Sequence, residues 1–273
     1  MANSMQSRGF NALCREWRRV RKLSQLDLAL AANVSHRHVS WLETGRSQPS
    51  REMVVRLSEA MEIPLRERNL LLQAAGFSAM YNESSLSDSV MEPVLDALKH
   101  VLEHHDPLPA FVVDRYWNVR MQNKAASLLL GVAGDPGELM AELGWADEIN
   151  LALLTLHPRG LGQFITNWQQ AGPSFVRRLR QEAAASGDPA LQARMGEITA
   201  LVDMESDEVS AAQGLLPVLP LEIDLHGTSL SLFSVISTFG TPQDVTTDEL
   251  RVEAFYPSDE ATGRFFHDIA AIH

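Results

Sequence analysis

Two helix-start signals with a helix-ending residue between them constrain the fold of the N-terminal part of the chain. Ser24, followed by Asp27 three residues later, has the pattern of a capping box, in which side chains satisfy the free amides at a helix start. Asn33 tolerates the left-handed conformation that ends helices, and Ser35 is a second N-cap residue. The spacing predicts two short helices joined by a tight turn, over about residues 25–32 and 36–43.

Apolar residues at helical spacing predict three further helices around this pair. The first contains Phe10, Leu13 and Trp17 on one face, and the others extend over about residues 50–61 and 64–76. In the helix that follows Ser24, we expect the inner face to include Leu26, Ala29 and Leu30. Five short helices with this turn predict an all-α helix-turn-helix domain over residues 1–77.

The distribution of charge indicates which part of the chain meets a polyanion. Residues 1–80 contain 12 Lys and Arg against 7 Asp and Glu, whereas the whole chain has 23 against 35. A basic N-terminal part on a chain of net charge -12 predicts that this part alone binds nucleic acid.

The helix after Ser35 is the one expected to enter the DNA major groove. Val39 and Leu42 must face the core, so His36, Arg37 and Ser40 point outward near its N-terminal end. Arg37 has the geometry to pair with guanine O6 and N7. We expect two phosphate contacts beside this helix, from Gln25 and Arg46.

The stretch SQLDLALAANVSHRHVSWLETGRSQPS resembles the helix-turn-helix of the Xre family of bacterial and phage repressors, whose fold is lambda-repressor-like and all-α. The resemblance covers about residues 8–76 and implies an ion pair between Arg18 and Glu43. It leaves open whether Trp41 touches DNA or covers the core. The DNA-contact positions that it implies are Gln25, Ser35, His36, Arg37, Ser40, Trp41, Thr44 and Arg46.

The rest of the chain predicts a second, α+β domain after a polar linker at residues 78–92. Two short strands are expected around a turn at Asp114, followed by a largely helical region over about residues 149–205. Three strands are then expected, with Gly227 in the turn between the first two, over about residues 215–225, 229–238 and 249–256. The domain, over residues 93–273, therefore combines an antiparallel sheet with a helical insertion.

Three segments of this domain, DPLPAFVVDRYWNVRMQNKAASLLL, GDPALQARMGEITAL and FSVISTFGTPQDVTTDELRVEAFYP, resemble the ligand-binding domain of MmyB-like regulators. The resemblance covers about residues 93–260 and implies a PAS-like sensor with a helical insertion. It also implies a one-component transcription regulator that senses a small apolar ligand similar to a fatty acid.

A sensor of this kind holds its ligand between sheet and helices, in a mostly apolar cavity with a few polar groups. We predict Asn118, Asn123 and Arg194 as the polar groups. The predicted apolar wall consists of Phe111, Val113, Trp117, Leu128, Leu151, Leu154, Phe164, Trp168, Phe233, Val235 and Ile236. The same aromatic residues also fit an ordinary core, in which case the domain only dimerises or docks a partner protein without a small molecule.

The motifs of catalysis are not found in the sequence, and we expect no enzyme activity, no catalytic residue, no cofactor and no metal site. The single cysteine, Cys14, excludes an internal disulfide and is typical of a reducing compartment. We therefore expect a cytoplasmic protein without a membrane partner. We also expect a homodimer that binds double-stranded DNA at a pseudo-palindromic operator.

Overall fold

The computed structural model describes residues 9–145, 148–202 and 218–272. Its contacts divide the chain into two compact units. The first comprises the described residues up to Ser84 together with Glu182–Gln192 and Thr241–Asp248, and the second comprises Ser85–Gln181, Ala193–Gly240 and the described residues from Glu249 onward. No helix in these described ranges is long and apolar enough to cross a membrane.

The N-terminal part of the first unit contains the five helices predicted from the sequence. Its second helix begins with a complete capping box, because the Ser24 hydroxyl accepts from the Asp27 amide at 3.1 Å and the Asp27 carboxylate accepts from the Ser24 amide at 2.9 Å. Asn33 is left-handed, with φ 52°, and Ser35 caps the next helix. The bounds are α1 Phe10–Val20, α2 Gln25–Ala31, α3 His36–Glu43, α4 Arg51–Ala60 and α5 Leu65–Ala74.

The core of these five helices differs from the prediction on α2. Leu26 and Leu30 are 54% and 71% exposed, so their assignment to the inner face was wrong. Ala29 is buried as predicted, Leu28 is buried in place of Leu26 and Leu30, and both pack in one cluster with Trp17. The physical reason is that apolar residues lie all around this seven-residue helix, so the sequence period alone did not identify its buried side.

The remaining elements form the predicted α+β arrangement. Helices are α6 Glu92–His105, α7 Lys124–Gly131, α8 Pro136–Glu142, α9 Leu151–Leu156, α10 Trp168–Ser186, α11 Pro189–Thr199, α12 Val245–Glu249 and α13 Glu260–Ile272, with 3-10 turns at Ser89–Met91 and Leu161–Phe164. Strands are β1 Ala110–Val113, β2 Val119–Gln122, β3 Leu221–Leu225, β4 Thr228–Thr238 and β5 Arg251–Pro257. Of the strand predicted at 215–225, residues 218–220 are not strand and 215–217 lie outside the described residues, as do 203–205 of the helical region.

The five strands pair in the order β2-β1-β5-β4-β3, and all neighbours are antiparallel. A two-residue turn joins β3 to β4, with His226 and Gly227 both at positive φ, as this kind of hairpin requires. This sheet with its flanking helices has the PAS-like α+β fold predicted from the sequence.

Alternation along the strands gives the sheet two different faces. One face carries Ala110, Val112 and Val252, which pack against Leu98 and Leu102 of α6. The opposite face carries the strand residues that pair across the sheet as Phe111 with Glu253, Ser234 with Phe255, and Leu221 with Leu232. A cavity lies against this second face.

Candidate functional site

The recognition helix α3 is held against α1 by one buried carboxylate at its C-terminal end. Glu43 is fully buried and accepts a bidentate ion pair from Arg18 of α1, with Nε–Oε1 at 2.6 Å and Nη2–Oε2 at 2.9 Å. Burial alone would raise the pKa of the Glu43 carboxyl, but hydrogen bonds from Arg18 and Gln25 outweigh it and hold that pKa below its ordinary value. The pair implied by the Xre resemblance is therefore present, and it ties α1 to the end of α3.

The predicted DNA-contact residues lie at the surface of α3 and beside it. His36, Arg37 and Trp41 are exposed. The guanidinium of Arg37 lies 4.4 Å from the centroid of the Trp41 ring, within the range of a cation–π contact. Ser35, Thr44 and Arg46 are also exposed, whereas Ser40 and Gln25 are half-buried.

Several of these side chains also make contacts within the protein, among them Ser35 as the cap of α3 and Thr44, whose hydroxyl donates to the Ser40 carbonyl at 2.8 Å. The Gln25 amide nitrogen donates to Glu43 Oε2 at 2.8 Å, so Gln25 is oriented by the same carboxylate that holds Arg18. Trp41 is 36% exposed, which leaves its ring at the surface beside Arg37. An arginine that stacks on an aromatic ring loses less freedom when it binds a base, which favours Arg37 as a base-reading residue.

Arg37→Ala is expected to cost about 1–3 kcal/mol of binding free energy on the operator and to relax the preference at one base pair. Arg46→Ala is the matched comparison, because a lost phosphate contact weakens all sequences alike and reduces the salt slope by about 1. Titrations of operator and random DNA across a salt series measure both effects. An unchanged ratio of operator to random affinity in Arg37→Ala would contradict the assignment of Arg37.

The second unit contains a cavity of about 240 Å³ between the sheet and the helical insertion. Its floor is the sheet face that carries Phe111, Ile223 and Phe255, and its helical walls include Leu151 and Trp168. The lining also contains the hydroxyls of Thr155, Ser174 and Ser234 and two charged side chains, Arg178 and Glu253. A mostly apolar cavity with a few polar groups is typical of a small-molecule site.

Two glycines set the position of the Trp168 ring in this wall. A Cβ at Gly172 would lie 2.9 Å from Cε2 of Trp168, and a Cβ at Gly162 would lie 3.2 Å from Cζ3. Side chains at these positions would push against the indole. The ring therefore packs directly on backbone, and of the two glycines Gly172 belongs to the cavity lining.

Some of the residues predicted for the cavity lie in its lining, namely Phe111, Leu151, Phe164, Trp168 and Phe233. The Phe233 ring stacks on Tyr256, with centroids 5.6 Å apart, and its partner Tyr256 alternates with the cavity-facing Phe255. Phe233 therefore borders the cavity from a strand position whose side chain belongs to the opposite face.

The polar residues that were predicted lie outside the lining. Asn123 caps α7 by accepting from the Ala126 amide at 3.0 Å, and it also accepts from the Ala110 amide at 3.1 Å. Asn118 donates to the Asp114 carboxylate at 3.1 Å, and Arg194 stacks on Trp145. The hydrogen bonds and contacts of these side chains organise turns, helix starts and packing.

The other apolar candidates also lie outside the lining, some in the core and some nearer the surface. Val113, Trp117 and Leu154 are buried in the core, with at most 2% of their surface exposed. Ile236 is half-buried, and Leu128 and Val235 are 46% and 43% exposed.

Sequence reasoning missed the charged pair. Arg178 Nη2 lies 3.2 Å from Glu253 Oε1, and the Arg178 guanidinium also lies 4.6 Å from the Trp117 ring centroid and 5.3 Å from that of Phe175. One signal was present in the sequence, since Glu253 is a charged residue inside a strand with Val252, Ala254 and Phe255 around it. A charge at such a position usually has a buried partner.

Comparison with known families decides the relationship of the chain. The profile of the MmyB-like transcription regulator ligand binding domain matches residues 94–268. The chain belongs to the MmyB-like transcription regulators. A helix-turn-helix profile matches residues 15–68. This MmyB-like protein is therefore a DNA-binding transcription regulator in which a ligand-binding domain follows the helix-turn-helix in the sequence.

Comparisons with individual proteins add little to this assignment. No curated protein sequence matches the MmyB-like chain. A PAS domain from Bordetella pertussis BvgS matches at 15% identity and TM-score 0.28, over 67% of this chain and 100% of that one. An RNA-binding light-oxygen-voltage receptor matches at 14% identity and TM-score 0.22, over 96% of this chain and 62% of that one. At these TM-scores neither likeness bears on function.

Proposed function

We propose that this MmyB-like regulator is a cytoplasmic one-component sensor in which residues 93–273 bind a small apolar, fatty-acid-like ligand and change the DNA affinity of residues 1–77 through the linker at 78–92. The observation that carries this proposal is the apolar cavity of about 240 Å³ between sheet and helices. A volume above that of an engineered apolar cavity of about 150 Å³, which binds benzene, is enough for a small aliphatic molecule.

The ligand is expected to change operator affinity by about 5–150-fold at saturation, the usual range of coupling between two sites. A ligand shifts such an equilibrium only by its different affinities for the two states, so binding alone is not sufficient. Organic extraction and mass spectrometry of the purified protein identify a bound molecule, and operator titrations with and without it measure the coupling. If a bound molecule leaves operator affinity unchanged, the domain is a dimerisation or partner-docking platform instead.

The protein is also expected to act as a homodimer, because one recognition helix reads only a few base pairs. Two copies would protect two half-sites about one helical turn apart, roughly 10 base pairs or a multiple of that. Light scattering gives the mass in solution, and footprinting gives the length of protected DNA. A monomer that protects a single half-site would contradict this arrangement.

A further inference from the structure

Among the described residues of the cavity lining, one positive and one negative side chain balance each other before any ligand enters. They are Arg178 and Glu253, and they form an ion pair at 3.2 Å. The Glu253 side chain is 6% exposed and that of Arg178 is 32% exposed. The carboxylate is therefore the buried member, and its closest charged partner is the guanidinium.

Apolar and aromatic side chains of the described residues pack around this pair. The aromatic rings of Trp117 and Phe175 pack against the guanidinium, and Phe111 and Ile236 are the strand partners of Glu253 on either side. The other polar lining groups are hydroxyls, those of Thr155, Ser174 and Ser234. Among the lining residues that the structure describes, Arg178 is therefore the one cation that could neutralise a further negative charge.

A ligand carboxylate at this end of the cavity would place two carboxylates beside one guanidinium. Two carboxylates that share a site cannot both remain ionised at low cost, and an uncompensated buried charge is strongly unfavourable. The arrangement becomes neutral again when one proton from solvent is shared between the two carboxyl groups. A hydroxyl head needs no proton, because it can donate to Glu253 and accept from Arg178.

From this balance we infer that the cavity takes its amphiphilic ligand in the uncharged form, as an alcohol or as a carboxylic acid with its proton, with the polar head at the Arg178–Glu253 pair. The inference rests on the proposed function and adds the charge state of the ligand to it. The inference predicts that an alcohol and a carboxylate of equal chain length differ in how their Kd depends on pH.

The test uses 1-octanol and octanoate with the full chain, by isothermal titration calorimetry at pH 6, 7 and 8. Octanoate is ionised in solution at these pH values, since a carboxyl group ordinarily has a pKa of about 4–5. Its Kd is therefore expected to rise about tenfold per pH unit, with one proton taken up per molecule bound. The Kd of octanol is expected to stay constant, which also controls for effects of pH on the protein.

Glu253→Gln is expected to reverse the preference, because it removes the buried carboxylate that competes with a ligand carboxylate for the Arg178 guanidinium. In this variant octanoate is expected to bind as the anion, more tightly than octanol and without the pH dependence. Glu222→Gln is the matched control, an exposed carboxylate on strand β3 of the same sheet and outside the lining, and it is expected to behave as the wild type.

The wild-type series decides the inference even if Glu253→Gln does not fold. Octanoate binding that is independent of pH would overturn it while leaving an aliphatic-ligand sensor intact. Failure of both octanol and octanoate to bind would overturn the proposed ligand class together with the inference.

Discussion

Glu43→Ala is expected to destabilise the helix-turn-helix by about 3–5 kcal/mol, because it leaves the guanidinium of Arg18 without its buried partner. Arg18 is only 14% exposed at the side chain, so water does not readily replace the two lost hydrogen bonds. Gln25 loses its acceptor at the same time. Urea denaturation followed by circular dichroism measures the change in the free energy of unfolding.

Glu59→Ala is the control for this substitution, since Glu59 is an exposed carboxylate on α4 and a surface change of this kind is usually within about 0.5 kcal/mol. A loss below about 1 kcal/mol in Glu43→Ala would contradict the anchoring role of Glu43. The effect also depends on pH. The folded-state pKa of Glu43 is depressed, so its stabilisation is present above the unfolded value of about 4.3 and is lost as the pH falls through the folded pKa.

Trp117→Ala is expected to cost about 3–5 kcal/mol of stability in the ligand-binding unit, the usual range for removing a buried tryptophan. The ring is 1% exposed, packs edge-on against Phe175 with centroids 5.2 Å apart, and supports the guanidinium of Arg178. The substitution is therefore also expected to weaken ligand binding before it affects DNA binding by the helix-turn-helix. Scanning calorimetry and ligand titration measure the two effects.

Comparison of Trp117→Gly with Trp117→Ala separates the stability contributed by the ring from the cost of the backbone conformation. Trp117 has φ 68°, a left-handed conformation that costs a residue with a Cβ about 1–2 kcal/mol. Glycine does not have this cost. The Trp117→Gly variant is therefore expected to be more stable than Trp117→Ala, although glycine fills less of the space left by the ring. If Trp117→Ala is instead the more stable of the two, the left-handed conformation is not maintained in solution.

The helix-turn-helix was predictable in detail because its signals are local. Ser24, Asp27, Asn33 and Ser35 each act on backbone groups within a few residues, and the hydrogen bonds and dihedral angles confirm them. The buried side of α2 was not predictable in this way. It depends on contacts with Trp17 and Val54, which are distant in sequence.

The cavity was also only partly predictable, because its residues are brought together from positions far apart in the sequence. The alternation in β4 and the turn at Gly227 predicted strands, and strands fixed which residues share a face. Arg178 and Glu253 lie 75 residues apart on a helix and a strand, and only the tertiary fold brings them together. Asn118 and Asn123 were plausible polar ligands by residue type, but their hydrogen bonds are used by the turn after β1 and the start of α7.

The contact of the Trp168 ring with the backbone of Gly172 offers a position at which the cavity can be engineered by one small substitution. Gly172→Ala adds one methyl group that must displace the indole, since its Cβ would lie 2.9 Å from the ring. A single carbon is thus expected to change the shape of the cavity and, if the proposed aliphatic ligand binds there, the chain lengths that fit it. The substitution leaves α3 and its predicted DNA-contact residues unchanged, so we expect that ligand preference and operator preference can be altered separately in one polypeptide.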